Sequence, residues 1–245
     1  PVTFTGGLDV PTKYVFRGIV QEEDSKLTLF PYGDVGISFY TGEGAIKTAS
    51  VNVGVWNALL TGSSGLDGDT NKMHYELDFY STLNLGFGGG VSLGTTYTAY
   101  TSPNGRFGTV QELMFKASQA SKFAPYAILA FELSGQADAG SGEGVYLELG
   151  AAPSFPLAGG KVTFALPVKF GTVQELAFKV SKTKSFGALK TETLGPYALI
   201  AFELDGQADG GSNEGVYLEL GVGPSWTFAG GKVSFAVPVK FCFSL

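Results

Sequence analysis

Apolar and polar residues alternate along most of this chain, and the period is two. In Tyr75–Phe87, "YELDFYSTLNLGF", the positions Tyr75, Leu77, Phe79, Ser81, Leu83, Leu85 and Phe87 oppose Glu76, Asp78, Tyr80, Thr82, Asn84 and Gly86. Successive side chains of a strand point to opposite faces, so the pattern predicts a strand with one apolar and one polar face. Val145, Leu147, Leu149, Ala151 and Pro153 oppose Tyr146, Glu148, Gly150 and Ala152 in the same way. Val162, Phe164, Leu166, Val168 and Phe170 oppose Thr163, Ala165, Pro167 and Lys169, and Val51, Val53 and Val55 oppose Asn52, Gly54 and Trp56. About thirteen such segments begin near Val2, Leu27, Thr48, Tyr75, Val91, Thr109, Tyr126, Val145, Val162, Val173, Tyr197, Val216 and Val233. Tight glycine-rich connections ("TGEG", "GFGGG", "LAGGK") alternate with long polar ones ("TGSSGLDGDTNKM", "SGQADAGSGEG"). Helical periodicity is nearly absent.

The second half is a duplication. Pro125–Phe170 returns as Pro196–Phe241 at an offset of 71, with roughly three-quarters of positions identical. "GTVQELMFK" at Gly108 returns as "GTVQELAFK" at Gly171, which sets the copies at 108–170 and 171–241. The copied unit is four strands, or two hairpins. Two copies are too few for a solenoid, whereas antiparallel hairpins can be added to a barrel without changing its topology. No linker or break in composition appears, so residues 1–245 form one domain.

Alternation alone does not say which face is inside. A soluble sandwich or lipocalin-like barrel would turn the apolar face inward. Three features favour the inverse, apolar out into lipid. The polar face carries Gly, Ala, Ser, Thr and Tyr with one or two charges per strand, as a confined lumen would. Rings mark the ends of the apolar face: Phe39, Phe87, Phe155, Phe170, Trp226, Phe228 and Phe241. Strand lengths suit a tilted hydrocarbon crossing, and closure is the β solution there because every backbone group must pair. The expected fold is therefore all-β: a transmembrane antiparallel up-and-down β-barrel of about 12 to 14 strands.

After the first strand comes "YVFRGIVQ", Tyr14–Gln21. It resembles the N-terminal signature of the TorF-type porins, proteobacterial outer-membrane barrels, through Tyr14, Phe16, Arg17, Gly18, Ile19 and Gln21. The resemblance covers about the first hundred residues and implies a barrel in the outer membrane of a Gram-negative bacterium, with passive diffusion through it. The residues also have a plain reading: Tyr14 and Phe16 as girdle rings, Gly18 as a turn, and Arg17 paired with Glu22, Glu23 or Asp24.

Bacterial single-chain barrels have even strand counts, and thirteen is odd. Three resolutions are open: Pro11 splits the first segment, Val162–Val180 is one long bent strand, or a final strand follows Leu245.

Composition narrows function. Net charge is −6, and charged residues are 16% against roughly 25% in an average soluble domain. No basic face is offered to phosphates, so nucleic acid is not an expected partner. Cys242 is the one cysteine and cannot form an internal disulfide. No apolar run is long enough for a transmembrane helix, and "PVTFTGG" reads as a mature or an artificially trimmed N-terminus. His74 has no nucleophile suggested by spacing. Asp67 and Asp69 lack EF-hand spacing, and no helix follows "GFGGG". No enzyme activity, metal or cofactor is expected.

The remaining chemistry lies on the polar face. Projected inward, it lines a pore with Glu76, Asp78, Glu112, Lys116, Glu132, Glu148, Lys169, Glu175, Lys179, Glu203, Glu219 and Lys240. Asp9, Asp34, Lys161 and Lys232 join the same face, making ten acids and six bases, a difference of four negative charges. Duplication copies Glu148 with Lys169 and Glu219 with Lys240 as expected ion pairs. The expected function is porin-like passive diffusion of small solutes or ions with mild cation preference. Inward Tyr80, Tyr100, Tyr126, Tyr146, Tyr197 and Tyr217 narrow that pore. The alternative is a structural or anchoring outer-membrane barrel with a plugged lumen, assembled with partner proteins or into an array. Expected partners are outer-membrane lipid, small solutes or ions, and a homo-oligomer or larger membrane assembly.

Overall fold

The computed structural model describes residues 1–17, 19–22, 27–62, 73–135, 144–159, 162–170, 174–182, 184–186, 192–205 and 215–244. These residues are nearly all strand, with helical geometry confined to the short turns Gly88–Gly90 and Ala229–Gly231. No helix among them is long and apolar enough to cross a membrane.

The first half matches the period-two pattern directly. β1 (Val2–Asp9) leads to a small separate hairpin, β2 (Tyr14–Phe16) and β3 (Ile19–Glu22). Long strands follow: β4 (Thr28–Thr41), β5 (Ile46–Leu60), β6 (His74–Phe87), β7 (Val91–Thr101), β8 (Val110–Gln119) and β9 (Tyr126–Ser134). β1 pairs with β4, and each later strand pairs antiparallel with its predecessor. The β6–β7 turn uses Gly89 and Gly90 at φ 70° and 73°, a region a side chain rarely enters.

The duplicated half is broken into shorter pieces: β10 (Val145–Ala151), β11 (Ser154–Leu157), β12 (Val162–Ala165), β13 (Val168–Phe170), β14 (Gln174–Ser181), β15 (Lys184–Phe186), β16 (Glu192–Leu194), β17 (Tyr197–Asp205), β18 (Val216–Val222), β19 (Pro224–Phe228), β20 (Val233–Ala236) and β21 (Val239–Ser244). The pieces pair off into single passes, because register survives each break. From Leu149 facing Phe170 to Ser154 facing Ala165 is five residues along both strands. The same step of five carries Tyr197 facing Gly221 to Glu192 facing Trp226. Proline accompanies five of the six breaks among the described strands, since it has no N–H for the ladder. Pro153, Pro167, Pro196 and Pro238 lie within them, and Pro224 opens β19. Proline carbonyls still accept: Leu166 N–H donates to Pro153 O at 2.9 Å and Ala177 N–H to Pro167 O at 2.9 Å.

Among the described residues thirteen passes result: β1, β4 to β9, and the pairs β10–β11, β12–β13, β14–β15, β16–β17, β18–β19 and β20–β21. Val162–Val180 is two passes rather than one bent strand, because Val168 faces Leu176 antiparallel. The odd count is absorbed at the seam. There β1 lies parallel to β20, Phe4 facing Val233 and Gly7 facing Ala236. In an otherwise antiparallel sheet this one ladder is parallel, because two ends of an odd series meet running the same way. The named ladders do not by themselves make one unbroken ring. Beyond the β1–β20 ladder, the contact at this seam is a single parallel bridge between Val10 and Val239. Val10 N–H donates to Pro238 O at 2.9 Å, and Lys240 N–H to Val10 O at 3.0 Å.

The exposure pattern is inverted relative to a water-soluble fold. Along β10, Val145, Leu147 and Leu149 are exposed while Tyr146 and Glu148 between them are partly buried. Leu147 is 55% and Phe79 50% exposed, whereas Glu76 and Asp78 on the same strand as Phe79 are 6% and 7%. Leu77, Phe164 and Leu218 share the apolar face but are partly covered by neighbours. Tyr75 departs from the predicted phase. The β5–β6 register shifts between Ala58 and Leu59, and Tyr75 packs against a cluster of Tyr14, Phe30, Ala58 and Leu60 together with Trp56.

Candidate functional site

The polar faces of neighbouring strands stack in register into rows across the sheet. One row runs Thr5, Asp34, Gly54, Tyr80, Thr98, Glu112 and Glu132. Lys169 faces Glu175, which faces Glu203; Lys116 and Glu148 flank Ile128; Lys179 and Glu219 flank Leu199. Lys161 lies outside the described residues, as do Asp67 and Asp69.

The β2–β3 hairpin is set against this face. Tyr14 O–H donates to Glu76 Oε2 at 2.6 Å, and its ring meets Phe30 at 5.0 Å and Trp56 at 5.6 Å. Phe16 meets Tyr100 edge-on at 5.9 Å. Arg17 donates through Nη1 and Nη2 to Glu112 Oε2 and Oε1, both at 2.8 Å, and its guanidinium lies 4.2 Å from the Tyr146 ring centroid. One short hairpin thus touches β4, β5, β6, β7, β8 and β10 on their polar faces, so it occupies the interior.

These contacts correct two readings of the "YVFRGIVQ" segment. Tyr14 is 4% exposed in the interior and is not a girdle ring. Arg17 pairs with Glu112; the side chain of Glu22, with Glu23, Asp24 and Gly18, lies outside what the structure describes. The physical reason is charge. Glu112 stands directly opposite Glu132, and like charges opposed across strands destabilise a sheet. A bidentate guanidinium offsets that repulsion with two charge-assisted hydrogen bonds. Burial, and then the facing Glu76 carboxylate, pushes the Tyr14 phenol above its ordinary range, so it acts as a neutral donor.

Tyrosines hydrogen-bond both Glu148 and Glu219. Glu148 accepts from Tyr126 O–H at 2.8 Å and from Tyr146 O–H. Glu219 accepts from Tyr197 and Tyr217 in the copy. Lys169 faces Gly150 and Lys240 faces Gly221, one residue pair beyond the expected partner. Lys240 Nζ sits 3.9 Å from Asp9 Oδ2. The tyrosines lie flat on the wall, because glycine on the next strand leaves room. A Cβ on Gly150 would collide with the Tyr126 ring, one on Gly221 with Tyr197, and one on Gly54 with Tyr80. Glycine content and interior tyrosine are therefore one device.

Among the described residues no group of three or more His, Cys, Asp or Glu is placed to hold a metal. His74 makes a 3.0 Å contact with Asn57 Oδ1 at the start of β6. Arg17 and Tyr14 are the interior residues that alternation could not supply, whereas Tyr100 lies inward as its phase predicts. Their one signal is the excess of acids over bases on the polar face, which calls for a cation from elsewhere in the chain. No family profile, curated protein or solved structure matches the chain.

Proposed function

We propose that the chain is a porin-like barrel of a bacterial outer membrane, passing small cations and polar solutes through a lumen narrowed by the β2–β3 hairpin. The reading rests above all on the inverted exposure. Val145, Leu147 and Leu149 face outward, while Glu148 is held by tyrosines on the other face. In water such a surface would expose far more contiguous apolar area than a monomer tolerates. In hydrocarbon it is the expected surface. Exposed Phe39, Phe170, Phe228 and Phe241 lie toward strand ends, where interfacial rings belong. The resemblance of Tyr14–Gln21 to the TorF-type signature points the same way. Cation preference is expected from the excess of acids over bases on the polar face.

Planar-bilayer recording of the refolded protein is the test. Expected are small single-channel currents and a reversal potential of mild cation selectivity, weakening at high salt as wall charges are screened. Clear anion preference would overturn the assignment of the lumen face. The occupied interior favours a second reading, a structural barrel whose hairpin is a permanent plug. Electrical silence in the whole protein and in a variant with the hairpin shortened would select it.

A further inference from the structure

The contacts of Arg17 show what the wall opposite it recognises. Glu112 is almost wholly buried, yet both its oxygens are turned toward the interior and both take a guanidinium N–H at 2.8 Å. Tyr100 O–H donates to Glu112 Oε1 at 3.2 Å and fixes the carboxylate plane. The Tyr146 ring lies under the guanidinium at 4.2 Å, and its own hydroxyl donates to Glu148, which orients it. These are the elements of guanidinium recognition: a two-oxygen acceptor matching the planar fork, an aromatic face for cation–π contact, and surrounding negative charge. All three wall residues belong to strands, β7, β8 and β10, so the site is part of the barrel and does not need the hairpin to exist.

The ligand that fills it is held less firmly. Arg17 sits at φ 51°, in the left-handed region that a non-glycine residue enters at a cost. The next ring along the hairpin toward the tip, Phe16, is exposed, while Tyr14 at the base is buried. Anchorage is thus concentrated at Tyr14, and the tip is fastened through Arg17.

We propose that Glu112, Tyr100 and Tyr146 form a guanidinium-binding site on the lumen wall, filled in the resting barrel by Arg17 and taken over by guanidinium-bearing solutes such as arginine or arginine-ended peptides. This rests on the diffusion reading above and names its preferred solute class. A solute that displaces Arg17 both enters the site and frees the hairpin tip, so it widens its own path. Competition is against a tethered group, whose effective concentration is on the order of millimolar, so displacement is expected at millimolar solute. Ammonium solutes should not substitute, because a compact charge cannot span both carboxylate oxygens.

Binding and current are tested separately. In detergent-folded Arg17→Ala, methylguanidinium should bind with millimolar affinity by ligand-observed NMR. Adding Glu112→Gln should weaken it at least five-fold, and methylammonium should bind at least five-fold more weakly than methylguanidinium. Equal binding with and without Glu112, or equal binding of the two cations, would overturn the site. If Arg17→Ala yields no heat-modifiable folded band, Arg17→Lys takes its place, since lysine keeps the charge without the fork. In bilayers, methylguanidinium should raise wild-type current saturably over methylammonium at equal ionic strength, and Arg17→Ala should already carry the larger current and ignore the solute. An open channel indifferent to methylguanidinium would sink the displacement. Binding that depends on Glu112, with silence in both proteins, would instead sink the diffusion reading and leave the site standing.

Discussion

Arg17 and Glu112 stand ninety-five residues apart in the chain and share two hydrogen bonds of 2.8 Å. The pair fastens a hairpin that follows the first strand to a strand near the middle of the sheet. Glu112 is buried, so removing Arg17 leaves a buried carboxylate opposite Glu132 without its guanidinium, with the Tyr100 hydroxyl still donating to it. Arg17→Ala should therefore cost about 1–3 kcal/mol in reversible folding into vesicles. Glu112→Gln should cost less, because the amide stays neutral beside Glu132. The double variant should fall short of the sum by about 1–2 kcal/mol. Additive losses would mean the hairpin is not held through this pair.

The facing of the strands predicts a second contrast, between neighbours on β10. Leu147 points outward and Glu148 inward. Leu147→Arg should destabilise by about 2–4 kcal/mol if it lies near the bilayer midplane. Glu148→Ala removes the acceptor of Tyr126 and Tyr146, whose hydroxyls can turn to lumen water, and should cost about 1 kcal/mol. Equal losses in the same folding assay would contradict the assignment of faces.

Strand existence, face and copy number were legible because alternation is strong in segments such as Tyr75–Phe87 and because the duplication is nearly literal. Even the thirteen segment starts correspond to the thirteen passes. Three things were not legible. The seam could not be read, since pattern fixes which face a strand shows but not the direction of the strand beside it. The hairpin could not be placed, since Tyr14 and Phe16 suit a membrane girdle and a lumen equally by residue type. The register of the copied charges could not be read either: Lys169 and Lys240 fall opposite Gly150 and Gly221, two residues along the strand from Glu148 and Glu219 and diagonal to them on the same face.

Glycine on the inner wall gives a third prediction. Gly150→Ala puts a methyl into the space of the Tyr126 ring. The ring must leave the wall, which breaks its bond to Glu148 and narrows the lumen. A loss of about 1–3 kcal/mol is expected, as for other overpacked sites, with lower conductance. Gly221→Ala should behave alike against Tyr197, whereas Gly88→Ala, with nothing within 4 Å, should leave the lumen unchanged. Unaltered conductance in Gly150→Ala would show that the tyrosine has somewhere else to lie.

The seam gives the last prediction. Thr5 and Ser234 are partners in the parallel β1–β20 pairing, and their hydroxyl oxygens are 3.5 Å apart. Both side chains point inward, since Thr5 also faces Asp34, whose carboxylate accepts from Asn52 and Tyr80 on the lumen side. Neighbouring strands bring paired Cα atoms within the roughly 4.4–6.8 Å that a disulfide spans. With Cys242 replaced by serine, Thr5→Cys together with Ser234→Cys should oxidise in the folded barrel and migrate as a distinct band without reductant. The control is Thr5→Cys with Val233→Cys. Val233 lies opposite Phe4 and faces outward, so this second pair points to opposite sides of the sheet and should stay reduced. Cross-linking of the first pair and not the second requires β1 and β20 to be neighbours with Thr5 opposite Ser234. An open seam would give neither bond and would overturn this pairing.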